Sequence, residues 1–239
     1  MARHLGVSDI RSRRIPADGR LRRENGKLIL EVNETAPSSR KRFTIAHEIG
    51  HLLLADGGAF GCETMRSRGF ASRRDADPRE ERWCDFIAAE VLIPIEWAAD
   101  FTYGKAPGFD TIQAMAKHFD TSLAVAARRA VEAGMWRTRL IFWQASGDSY
   151  EAVAAYPAYS PTTLAFMRLD NLKDSLVGRA LRSGRSQSGR EKIEIEGSSE
   201  DYDVDVWCEG KDKAAMLLIL EPRRKHSKGK PLQPRLFQP

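Results

Sequence analysis

Cysteine is scarce in this chain: Cys62, Cys84 and Cys208 are its three, in 239 residues. They are widely separated, odd in number and form no CxxC pair, which excludes a disulfide framework and fits a reducing compartment. Long apolar runs are missing too. No stretch approaches the roughly 18 apolar residues of a membrane span. No apolar run follows Met1-Ala2-Arg3-His4-Leu5, so no secretory leader is expected, and the expectation is a cytoplasmic protein with no membrane partner. Nor does either sign of charge dominate. The net charge of +5 permits contacts with nucleic acid or acidic protein and demands neither. What remains is an ordinary globular composition, 42% hydrophobic, in a length that holds one large domain or two to three small ones.

Histidine is also rare. There are five, and two of them share the pentapeptide His47-Glu48-Ile49-Gly50-His51. This fits the H-E-x-x-H signature of zinc peptidases. Positions i and i+4 of a helix lie on one face, so His47 and His51 can each offer a ring nitrogen to one ion. Glu48 follows the first of them, close enough to take a proton from a water activated there. The flanks supply a helix: Phe43, Ile45, Ile49, Leu52 and Leu53 form an apolar segment with no proline. Ser38 or Ser39, after Pro37, is the expected N-cap, and Asp56-Gly57-Gly58 the stop. Gly50 costs about 1 kcal/mol relative to alanine within a helix. Its missing side chain would let another element pack close to the metal.

A catalytic zinc needs a third protein ligand. Downstream, Asp77-Pro78 reads as an N-cap and first helical residue, opening a helix that stops before Pro94. Glu81 and Asp85 share a face of it. Glu81 suits a metal ligand, with Glu80 as the other candidate. Asp85 suits an acceptor for the far nitrogen of a metal-bound histidine, fixing its tautomer. Glu80 and Glu81 would also complement the helix dipole. Cys84 reads as a small packed side chain rather than a ligand.

These residues carry a resemblance. Arg42-Phe43-Thr44-Ile45-Ala46-His47-Glu48-Ile49-Gly50-His51, followed by Glu81-x-x-x-Asp85-x-x-Ala88-Ala89-x-x-Leu92-x-Pro94, resembles the ImmA/IrrE family of metallopeptidases. The resemblance implies a zincin-like, cytosolic Zn²⁺ peptidase that cleaves a helix-turn-helix repressor. It implies His47, His51 and Glu81 as metal ligands and Glu48 as catalytic base. It is closest to the longer, IrrE-like members, which add a central helix-turn-helix and a C-terminal GAF-like domain. The expected α+β organisation is therefore a metallopeptidase domain at 1–100, a helix-turn-helix at 101–136, a GAF-like sensor domain at 137–222 and a basic tail at 223–239. A reading of another class keeps the peptidase fold as a scaffold, in a non-proteolytic transcription regulator or a repressor-binding protein.

The remaining punctuation agrees with this plan. Asp18-Gly19 and Glu24-Asn25-Gly26-Lys27 are turn signals, and Leu28 to Val32 reads as a strand leading toward the metal helix. An edge strand near the metal would matter, since an extended peptide can add to it. Thr111 to Phe119 and Ser122 to Ala133 read as paired helices around an Asp120-Thr121 turn. The second helix begins Ser122-Leu123-Ala124-Val125-Ala126, with little to reach base edges; Arg128 and Arg129 come late and could at most touch phosphate. DNA contact is accordingly expected to be weak. Beyond, Thr138–Gln144, Lys192–Ile195, Tyr202–Trp207 and Ala214–Leu220 read as strands, and Thr162 to Leu169 and Ser175 to Leu181 as helices.

Overall fold

The computed structural model describes residues 2–56, 77–146, 149–156, 167–169, 174–195, 198–209 and 214–220. The Gly57-Gly58 stop, Cys62, the start of the helix expected from Thr162 and the basic tail lie outside the described residues. The fold is mixed α+β and divides into two compact units: Met1–Pro94 with Ala116–Ser122, and Ile95–Met115 with Leu123–Pro239. Among the described residues, no helix is long and apolar enough to cross a membrane.

In the first unit, β1 (Val7–Arg13), β2 (Gly19–Glu24) and β3 (Lys27–Asn33) form a sheet in the order β1-β3-β2. β1 runs parallel to β3 and β2 antiparallel to it. Asn25 and Gly26, at φ 49° and 76°, turn β2 into β3, since a two-residue hairpin of this hand requires positive φ at both positions. The strand expected at Leu28 to Val32 is thus central and hydrogen-bonded on both sides; the edges are the arginine-rich β1 and β2. Val7, Leu21, Leu28, Leu30 and Val32 form a buried cluster, and Ile45 and Leu52 of helix α1 (Ser38–Asp56) pack on it. Ser38 already stands in the first turn and the Pro37 carbonyl accepts from Lys41 N at 2.9 Å, so neither serine is the cap. The helix starts one residue too early for that. Helix α2 (Pro78–Leu92) opens as expected: Asp77 accepts from Arg79 N at 2.8 Å, Pro78 takes the first position, and the helix ends at Ile93 before Pro94. In the turn at 116–122, Asp120 pairs with Arg42 of α1.

Strand alternation puts Glu31 on the sheet face opposite Leu30 and Val32. Only 1% exposed, it accepts a hydrogen bond from Arg20 and forms ion pairs with Arg20 at 2.7 Å, Arg22 at 3.2 Å and Arg13 at 3.8 Å. Burial alone would raise its pKa. The hydrogen bond from Arg20 and the charges of Arg20, Arg22 and Arg13 together outweigh burial and hold the carboxyl below its ordinary value of 4.5. A folded pKa below the unfolded one contributes stability above the unfolded value, and this is lost as pH falls through the folded one. Glu31→Gln is therefore expected to be less stable than wild type at neutral pH, with the gap closing below about pH 4.5. Urea denaturation at a series of pH values checks this; a gap that widens on acidification would contradict it.

In the second unit, β4 (Thr138–Ser146), β5 (Ser149–Tyr156), β6 (Met167–Leu169), β7 (Gln187–Ile195), β8 (Ser198–Cys208) and β9 (Ala214–Leu220) form an antiparallel sheet in the order β5-β4-β9-β8-β7-β6. The helix expected over Thr162 to Leu169 is wrong at its end: Met167–Leu169 is a strand paired with Ile193–Ile195. Edge pairing overrides the local helical preference there. The unit also contains α3 (Ile95–Thr102), the Phe109–Met115 part of α4 (Phe109–His118), α5 (Leu123–Glu132) and α6 (Leu176–Ser183). Leu176, Val177, Ala180 and Leu181 of α6 pack on Ile193, Val204, Val206, Leu217 and Ile219. Ser175 caps α6, and Gly184, at φ 68°, ends it. Asp205 of β8 ties down the start of α4, accepting from Phe109 N at 2.8 Å and from Ser188 Oγ at 2.8 Å. The late arginines of α5 face inward. Arg129 is 1% exposed and pairs with Glu132, and Arg128 pairs with Glu132 and lies over the Tyr156 ring.

Candidate metal centre

Helix α1 carries His47 and His51 one turn apart, both buried, their ring centroids 5.0 Å apart. Helix α2 meets them with three acids. Glu81 offers one carboxylate oxygen to each ring: Oε2 lies 3.3 Å from His47 Nε2, and Oε1 lies 3.3 Å from His51 Nε2. The far nitrogens are also engaged. His47 Nδ1 lies 2.9 Å from Asp85 Oδ1, and His51 Nδ1 lies 2.9 Å from Glu80 Oε1.

With both rings neutral, this arrangement orders the protons. A neutral imidazole has one N–H, and an ionised carboxylate only accepts. Nδ1 of each ring must therefore donate, to Asp85 and to Glu80. Each Nε2 is then a lone pair facing Glu81, itself an acceptor. Two lone pairs and a carboxylate converging on one point repel one another unless a cation sits among them or a ring takes up a proton. Two imidazoles and a carboxylate are also a donor set that suits zinc and leaves a fourth position open. The residues fit a divalent cation. His47 feels the same pull. Burial opposes its protonation, but the hydrogen bond to Asp85 and the charges of Asp85, Glu81 and Glu48 win and raise its pKa above 6.5.

Cys84 adds a soft donor. Donor atoms of His47, His51 and Cys84 lie within 4.8 Å of one another, all three buried, so this group could hold a metal ion. Burial, then the charges of Glu80, Glu81, Asp85 and Glu48, push its thiol well above the ordinary range, so without a cation it stays protonated. The thiol sits where α1 and α2 touch. A Cβ on Gly50 would stand 3.0 Å from Cys84 Cα and 3.3 Å from both its Cβ and its carbonyl oxygen. Gly50 thus lets backbone meet backbone between the two helices that carry the donors.

Gly50→Ala tests this contact. Better helix propensity would contribute about 1 kcal/mol. Overpacking against main-chain atoms costs about 1–3 kcal/mol, and no flexible side chain is there to yield. The clash wins. The variant is expected to melt lower than wild type and to bind metal more weakly, since the ligand-bearing helices are pushed apart. A higher melting temperature would show that the helices separate freely.

Glu48 stands beside this group, half-buried, its charge acting on both His47 and Cys84. The first residue of the edge strand β2 comes close: a Cβ built on Gly19 would lie 3.4 Å from Glu48 Oε1 and only 2.2 Å from Thr44 Cγ2. Only a residue without a side chain lets the strand pass α1 here. The edge strand next to the acid is therefore β2, whereas the strand legible in the sequence, β3, lies inside the sheet.

The residues marked in the sequence, His47, Glu48, His51, Glu81 and Asp85, lie within this one cluster. What the sequence left unseen is the contact of Glu80 with His51. Adjacent residues on a helix project about 100° apart, so one acid of a doublet can face the common point while its neighbour reaches a ring from the side. A Glu-Glu pair opposite an H-E-x-x-H helix was the available signal.

Residues 2–131 match the Peptidase M78 family, described as the IrrE N-terminal-like domain. Among solved structures, a Mycobacterium tuberculosis transcriptional regulator is similar, with a TM-score of 0.54 and 14% identity over 92% of this chain and 77% of that one. At that identity the likeness concerns the fold alone. No curated protein matches the sequence. The family match spans more than half of the chain and includes both helices of the histidine–carboxylate cluster, and the chain belongs to the Peptidase M78 family, with an IrrE N-terminal-like domain.

Proposed function

We propose that this protein is a zinc-dependent endopeptidase that cleaves a helix-turn-helix repressor of the XRE type, relieving repression of stress-response or mobile-element genes. The observation that carries the reading is the convergence of His47 Nε2, His51 Nε2 and Glu81 on one point. His47, His51 and Glu81 would hold the ion. Zinc bound there would supply Lewis acidity, polarising a scissile carbonyl and acidifying water. Glu48 takes the proton of the attacking water and returns it to the leaving amine, which breaks the peptide bond. Asp85 keeps His47 in the tautomer that points Nε2 inward.

The reading has the peptidase in residues 1–100, a helix-turn-helix at 101–136, a GAF-like sensor at 137–222 and a basic tail at 223–239, in a cytoplasmic protein. DNA contact is weak in this scheme: Arg129 of α5 is buried and Arg128 is paired, so neither offers a free cation to phosphate. A second reading, a regulator that does not cut, draws on the similarity to a protein called a transcriptional regulator. One preparation separates them. With zinc, purified protein is expected to convert the repressor into two fragments, a chelator stops this, and promoter duplex binds no better than random duplex. Selective promoter binding with the repressor left whole would favour the regulator.

A further inference from the structure

The two histidines are held by acids in different surroundings. The Asp85 side chain is 47% exposed, so water competes for its contact with His47. The Glu80 side chain is 11% exposed, and among the described residues His51 Nδ1 is its one hydrogen-bond or ion-pair partner. Among the described residues, no lysine or arginine pairs with it. A carboxylate taken out of water needs a compensating partner. A single imidazole N–H is a thin one, unless the ring passes positive charge from a cation on its other nitrogen.

We infer that Glu80 is a positioning residue that sets His51 for the metal, and that it is the stronger of the two carboxylate clamps. This rests on the metal reading above. The chain of contacts runs from the Glu80 carboxylate to His51 Nδ1–H and through the ring to Nε2, which faces the common point with Glu81. A charge-assisted hydrogen bond strengthens where water is excluded. An acid fixed on Nδ1 holds the tautomer, fixes the ring plane and makes Nε2 a better donor. A helix-dipole role alone would leave Glu80 pointing to solvent from the first turn of α2. It points instead at the His51 ring.

The test uses the full chain and zinc itself. Zinc affinity is measured by competition with a chromophoric chelator, with circular dichroism and melting confirming the fold. Glu80→Met keeps volume and removes the acceptor. It is expected to weaken zinc binding by about 10–100-fold, and by more than Asp85→Leu does. Glu80→Gln is expected to keep more affinity than Glu80→Met, because its amide oxygen still accepts from Nδ1–H. Nitrogen-15 NMR of the imidazoles is expected to show the His51 Nδ1–H signal in wild type and its shift or loss in Glu80→Met. A folded Glu80→Met that binds zinc like wild type overturns the inference, as does a larger loss in Asp85→Leu. Should Glu80→Gln abolish binding while Glu81→Gln does not, Glu80 is a ligand and the clamp is wrong. A wild-type chain that takes up no zinc removes the metal reading and the clamp together, an outcome distinct from a zinc-binding wild type with an indifferent Glu80.

Discussion

Glutamine in place of Glu48 is expected to leave zinc bound and to stop proteolysis. The side chains are nearly the same size, and Glu48 is not among the three groups that converge on the common point. An amide cannot take a proton at neutral pH, so the attacking water loses its base and the leaving amine its acid. A positioned base of this kind contributes about 10²–10⁴-fold to a rate. The expected result is a chain with about one zinc, a wild-type melting temperature and a fragment-formation rate lower by that factor. Metal analysis and timed gel separation of repressor fragments supply both numbers. Cutting near the wild-type rate would remove Glu48 from the base role. A loss of zinc along with activity would mean that Glu48 binds the ion.

Glu81→Ala is expected to do the reverse, losing metal while keeping the fold. Glu81 offers an oxygen to each Nε2, so its removal takes away a direct donor. The loss of affinity should exceed the roughly 10–100-fold typical of groups that only orient a ligand. Chelator competition and melting with and without zinc check both halves. A Glu81→Ala chain that holds zinc normally would dissolve the donor set. It would leave the histidine–cysteine grouping with Cys84 as the remaining arrangement. A cobalt-loaded sample would then show thiolate charge-transfer bands, which the carboxylate set does not produce.

How much of this was legible depended on how loudly each segment signals. α2 declared itself at both ends, through Asp77-Pro78 and through Pro94, because caps act locally. The donor spacing on α1 was legible because four residues on a helix is a rule of geometry. β1 and β2 were not, since Arg11, Arg13, Arg20 and Arg22 give them a charged surface where half-buried strands usually show apolar alternation. Arg13, Arg20 and Arg22 are explained by Glu31, a residue whose burial follows only from the pairing of three strands, and Arg11 by Asp9 and Glu24. β6 failed for a related reason: three residues are too few for a period, and their partner lies 24 and more positions away. Glu80 was visible as an acid in a first turn, but the ring it touches is on another helix. Periodicity and caps are properties of a segment; clamps and buried ion pairs belong to the packing of several.

The contact between Gly50 and Cys84 sets more than stability. Two main chains meeting with no side chain between them make a spacer of fixed length. The histidines hang from one side of that spacer and Glu81 from the other, so the gap they span has little slack beyond side-chain torsions. Ions differ in the bond lengths they demand: zinc sits about 2.0–2.2 Å from nitrogen and oxygen, calcium about 2.3–2.6 Å from oxygen. The ligand residues decide how tightly an ion is held. Were an ion held by these residues, the choice between a small one and a large one would be set by the backbone at Gly50.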